Sequence, residues 1–92
     1  MPPPQKVVKN INHRDTMYRW IMRNKTGTSE LVIELAASVN GQVFIAELPK
    51  VVSHNMVTLG IDFGRANGWK PEESGEPFRC KWLRGTFHVT PA

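Results

Sequence analysis

The chain has one cysteine, Cys80, so it cannot hold an internal disulfide framework, and a lone thiol fits a reducing compartment. No apolar run approaches the roughly 18 residues of a membrane-spanning helix, so no membrane partner is expected. The amino-terminal MPPPQKVVKN has no hydrophobic segment after its lysines and does not read as a secretory signal. The expectation is a cytoplasmic protein, in which Asn24-Lys25-Thr26 matches the glycosylation pattern by coincidence. His13, His54 and His88 stand far apart with no His-x-x-x-His spacing, and with a single cysteine they predict no metal centre. No Gly-rich phosphate loop precedes His54, so free backbone N–H groups there do not by themselves make an anion site. No catalytic residue and no cofactor is expected, and the reading is of a non-enzymatic protein. Neither sign of charge dominates: a net +4 favours solubility as readily as a polyanionic partner. At 92 residues there is room for one domain with a modest core.

What the chain does have is a strong strand pattern at Leu31–Leu48, LVIELAASVNGQVFIAEL. Asn40-Gly41 is the favoured pair for a type I′ turn, which needs positive φ at both central residues. With those two as the turn, Val39 faces Gln42, Ala37 faces Phe44, Leu35 faces Ala46 and Ile33 faces Leu48. Small then sits opposite large, as an interdigitating core layer requires. Upstream, residues 1–6 read as a flexible Pro-rich tail and 7–90 as a single α+β domain. Val7–His13 predicts a first strand, Arg14-Asp15-Thr16 a turn, and Met17–Arg23 a second strand. In that second strand Tyr18, Trp20 and Met22 share one face, and Arg19, Ile21 and Arg23 the other.

After Pro49 the period changes. Ser53 suits an N-cap, Val52 and Val57 suit a hydrophobic staple, and Asn67-Gly68 suits a stop, so one helix is predicted over Ser53–Asn67. A polar loop, Glu72–Pro77, leads to a last strand, Phe78–Leu83, with Thr86–Thr90 as a short extension beyond Gly85. The predicted order is β-β-β-β-α-β: a mostly antiparallel sheet with one helix packed on one face. The pattern leaves open whether the last strand lies beside the first strand or at the hairpin edge.

The segment ELPKVVSHNMVTLGIDFGRANGWKP resembles a pattern in small bacterial proteins of unknown function. In these a Pro-bearing strand end leads through valines into a helix that closes on Gly-Trp-x-Pro. The anchors here are Pro49, Val51, Val52, Gly68, Trp69 and Pro71, with Tyr18-Arg19-Trp20 as an upstream Tyr-x-Trp. The resemblance implies a bacterial origin and a shared scaffold over the carboxy-terminal half. It brings no activity with it.

Three constellations remain. The predicted helix has an apolar arc about twice as wide as an ordinary surface helix needs, with Gly60 and Gly64 inside it. The glycines let a helix sit low on its own sheet, with Trp20 or Trp82 filling the groove; alternatively Leu59, Phe63 and Ala66 meet a second chain. Ile21, Ala36, Val43 and Ile45, with Val32, fall on the outer sheet face, where a contiguous patch suits a symmetric homodimer or a protein partner. Secondly, Arg19, Arg23, Arg79, Lys81 and Arg84 offer a basic sheet face for nucleic acid. Against this, the aromatic residues alternate to the other face, and an ordinary solvated face with Glu34 opposite Glu47 explains the same charges. Thirdly, Trp20, Trp69 and Trp82 are enough to line a small-molecule pocket, although core packing uses them equally well. Cys80 alternates inward between Phe78 and Trp82, which makes it a packed thiol.

Overall fold

Among the described residues six strands and one helix follow in the order β1 (Lys9–His13), β2 (Thr16–Lys25), β3 (Thr28–Leu35), β4 (Phe44–Leu48), α1 (His54–Ala66), β5 (Phe78–Leu83) and β6 (Thr86–Val89). The computed structural model describes residues 8–25, 27–37, 40–48 and 54–90. Expectations placed on the Pro-rich tail, Val39, Pro49, Val51, Val52, Ser53 and the His54 side chain lie outside the described residues. The strands form one sheet in sequence order, β1-β2-β3-β4-β5-β6. All neighbours are antiparallel except β4 and β5, which are parallel. Parallel neighbours need a long crossover, and the segment carrying α1 supplies it, so the last strands lie at the hairpin edge. The fold is α+β, with Thr86–Val89 a strand of its own paired to β5 and not an extension of it.

Among the described residues two tight turns have left-handed backbone at both central positions. Arg14 and Asp15 (φ 53° and 62°) join β1 to β2, and Arg84 and Gly85 (φ 53° and 83°) join β5 to β6. Each lies between directly paired residues, His13 with Thr16 and Leu83 with Thr86, as a two-residue type I′ hairpin requires. Asn40-Gly41 does not close the β3–β4 hairpin as a two-residue turn, because the two strands pair in another register. Ile33 pairs with Phe44 and Leu31 with Ala46, four residues from the register that a turn at Asn40-Gly41 dictates.

The cause is Gln42, which is held by the segment after the helix. Its N–H donates to Glu73 O (2.7 Å) and its carbonyl accepts from Trp69 Nε1 (2.9 Å). Its side chain accepts from Lys70 N (2.8 Å) and donates to Glu76 O (2.9 Å). These bonds draw the strand connection away from β3. Since the slip is an even number of residues, no side chain changes face, and the core layer of Leu31, Ile33, Phe44, Ala46 and Leu48 is as the alternation predicts.

The helix lies on that layer. Val57 and Ile61 are buried against it, and the two glycines bring the helix backbone close to it. A Cβ placed on Gly64 would stand 2.9 Å from Phe44 Cδ2 and 2.9 Å from Trp69 Cε3. The groove is therefore filled by Phe44 and Trp69, not by Trp20 or Trp82. Gly68 (φ 106°) reverses the chain, and Trp69 N donates back to Gly64 O (2.8 Å), a Schellman-type cap that drops the indole into the core.

Candidate interaction surface

Strand alternation puts a second set of side chains on the sheet face opposite α1. Ile21 pairs with Val32 and Val32 with Ile45, so three apolar residues stand level across β2, β3 and β4. Val8, just before β1, and Val43 and Pro77 extend them into an open depression of about 370 Å³. This depression lies on the outside of the sheet, and the core cluster does not include these residues.

Charged rows frame the stripe. On one side Arg19 pairs with Glu34, Nη2 to Oε1 at 2.9 Å, with both side chains about one-third exposed (34% and 38%). On the other, Arg23 Nη1 lies 3.5 Å from Glu30 Oε1, and the register continues through Glu47 to Lys81. Glu34 thus faces Arg19; the acidic pair across β3 and β4 is Glu30 with Glu47, a consequence of the register set by Gln42. Arg79 lies level with Ile45 on β5, exposed like Lys81, and Arg84 sits in the β5–β6 turn. No Phe, Tyr or Trp alternates onto this face; Trp20, which touches the depression's edge, pairs with Ile33 on the core side.

The candidate residues divide accordingly. Ile21, Val43 and Ile45 converge in the depression, whereas Ala36 follows β3 and donates its N–H to Met17 O (3.0 Å), extending the β2–β3 ladder. Leu59 and Ala66 are exposed on α1, on the opposite side of the sheet. Phe63 is only partly exposed, its ring centred 5.5 Å from that of Phe87 and 6.3 Å from that of Phe78. The helix and the hairpin therefore offer two separate surfaces, not one. The tryptophans do not converge either: Trp69 is buried against Tyr18 and Phe44, Trp82 packs edge-on to Phe87, and Trp20 sits under Lys9. Val8 and Pro77 escape sequence reasoning because only the folded sheet brings them beside Ile21 and Ile45; no local pattern marks them.

A polar cluster ties the β1–β2 hairpin to α1. His13 Nε2 lies 2.9 Å from Asp62 Oδ1, and Arg14 Nε donates to the same oxygen at 2.9 Å. The Arg14 guanidinium, with His13 beside it, holds the Asp62 carboxyl below the usual range. Arg65 donates to Tyr18 OH (3.2 Å) and pairs with Glu72 (Nη2 to Oε2, 2.7 Å), which it likewise holds low, while lying over the Trp69 ring. These groups satisfy one another. Burial pushes the Cys80 thiol up to about 12, so it stays protonated at neutral pH. Among the described residues no three His, Cys, Asp or Glu side chains come together as metal ligands would need, and no helix is long and apolar enough to cross a membrane. Compared with protein-family models, curated proteins and solved structures, the chain matches none.

Proposed function

We propose that this protein works by binding, without chemistry of its own, through the sheet face opposite α1, and that it acts as a homodimer. The observation that carries the reading is the level stripe of Ile21, Val32 and Ile45 between two rows of charged residues. A contiguous apolar patch rimmed by polar groups marks an interaction site, and a two-fold dimer covers it with a single self-complementary surface. The buried thiol fits a reducing, cytoplasmic setting.

Mass measured by light scattering on a size-exclusion column, over a range of protein concentrations, tests this. Wild type is expected to run as a dimer at high concentration. Ile45→Glu is expected to be a monomer with an unchanged circular dichroism spectrum, since Ile45 lies outside the core cluster. Phe63→Glu is expected to unfold the chain, because its ring packs against Phe78 and Phe87. A wild type that stays monomeric throughout, or an Ile45→Glu dimer, removes the homodimer.

The nucleic-acid reading has less support. Arg19 and Arg23 are each paired with a carboxylate, and the face lacks the aromatic stacking platforms such binders use. Its test is the 260/280 nm ratio of the same peak.

A further inference from the structure

The dimer just proposed has several possible two-fold axes, and the register of the sheet distinguishes them. We infer that the axis runs along the strands, between β2 and β3. This inference rests on the homodimer reading above. Two sheets packed face to face keep their strands within about 30° of each other and stand about 10 Å apart. A two-fold axis between β2 and β3 lays β2 over the partner's β3 and β1 over the partner's β4.

Consider the residues level with one another. Because Ile21 pairs with Val32 and Val32 with Ile45, Ile21 meets the partner's Val32, and Val8, which lies at the same level beyond β1, meets the partner's Ile45. Every member of the stripe is then covered by another member. One level along, Arg19 pairs with Glu34, so Arg19 meets the partner's Glu34 and Glu34 the partner's Arg19. Two ion pairs, each within one chain, join into a ring of four alternating charges.

Other axes fail on the same register. An axis along the stripe sets Arg19 on the partner's Arg23. An axis between β3 and β4 sets Ile21 on the partner's Arg79. One between β4 and β5 matches Glu47 with Lys81 but sets Ile45 on the partner's Arg79 and leaves Ile21 and Val8 uncovered. Like charges directly opposed are destabilising, and specificity of this kind comes from what is repelled as well as from what is attracted. A face four strands wide and about five residues tall covers only roughly 300 Å² of flat area per copy, the low end for an interface, so the dimer is weak and reversible.

The test is a charge swap. Arg19→Glu with Glu34→Arg restores the pair within each chain and, across this axis, between two swapped chains. Sedimentation equilibrium on wild type, the double variant and a labelled mixture reads the result. The swapped protein is expected to dimerise within about threefold of wild type, and the mixed dimer to form at least tenfold less readily. Mixed dimers that form as readily as wild-type ones overturn the axis while leaving the dimer intact; wild type that never self-associates overturns both. A second measurement does not depend on the swap folding. Val8→Cys and Ile45→Cys, joined by a short bis-maleimide, are expected to cross-link when the two proteins are mixed and not when either is alone. Cross-linking within either single pool also overturns the axis.

Discussion

Gly64→Ala puts the packing of α1 to a quantitative test, with Gly60→Ala as its internal control. Each substitution gains about 1 kcal/mol of helix propensity, so that contribution cancels in the difference and leaves the packing. At Gly64 the new methyl would stand 2.9 Å from both Phe44 Cδ2 and Trp69 Cε3. Neither ring has room to retreat: Phe44 is 0% and Trp69 1% exposed, and the indole is tethered by its bond to Gln42 O. At Gly60 the nearest atoms are Phe44 Cε1 at 3.3 Å and Phe87 Cζ at 3.5 Å, which needs a shift of only a few tenths of an ångström. Overpacking of the first kind costs about 1–3 kcal/mol. Gly64→Ala is therefore expected to be about 2 kcal/mol less stable than Gly60→Ala, which corresponds to roughly 8–16 °C in Tm for a domain of this size. Urea and thermal unfolding followed by circular dichroism give both values. If Gly64→Ala matches or exceeds Gly60→Ala in stability, the close approach of helix to sheet is wrong.

The β1–β2 turn holds Asp15 at φ 62°, a region a β-branched side chain avoids, so Asp15→Val is expected to cost about 1–2 kcal/mol in urea unfolding. Gln42→Ala removes two side-chain bonds to the segment after the helix; a loss of about 1–2 kcal/mol is expected, with faster hydrogen exchange at the Lys70 amide, which an unaltered rate would contradict. Asp62 and Glu72 are held below the usual carboxylate range by Arg14 and Arg65. Their contribution to stability is thus fully present above the unfolded values near pH 4 and is lost as pH falls through the lowered folded ones. Asp62→Asn with Glu72→Gln should flatten the fall in urea midpoint between about pH 4 and 2, and an acid limb as steep as wild type would show that neither pairing matters.

The face each strand buries was legible from alternation alone. Tyr18, Trp20 and Met22 point one way and Arg19, Ile21 and Arg23 the other, as they do in the sheet. Strand β5, Phe78–Leu83, has the predicted bounds, although it is followed by β6 and is not the last. Asn67-Gly68 ends the helix as its chemistry suggests, although α1 itself closes at Ala66. Local reasoning failed where a distant segment intervened. Asn-Gly is a strong turn signal only if nothing else claims its neighbours, and Gln42 is claimed by residues 69–76. Conversely, Arg14-Asp15 and Arg84-Gly85 form tight turns with one glycine between them, because a two-residue loop between directly paired strands favours the primed turns whose twist matches theirs. The apolar stripe was half legible: Ile21, Val43 and Ile45 follow from alternation, whereas Val8 and Pro77 join them only through the order of the strands. The helix candidates looked continuous with the stripe because a one-dimensional pattern does not show which side of a sheet a helix covers.

Lys9 also bears on the open edge of the sheet, beyond its contact with Trp20. Among the described residues the sheet has its first and last strands, β1 and β6, as its two edges, and an edge strand can template pairing with any strand that drifts alongside. The Lys9 ammonium lies over the Trp20 ring at 5.3 Å, on the helix side of the sheet. A strand adding to β1 would have to bury that ammonium against its own inward side chains, and an inward-facing lysine on an edge strand is among the ways proteins discourage such pairing. At the other edge β6 has only four residues, too few to template a long ladder. The sheet can thus offer an apolar face to a partner while both of its edges remain poor starting points for aggregation.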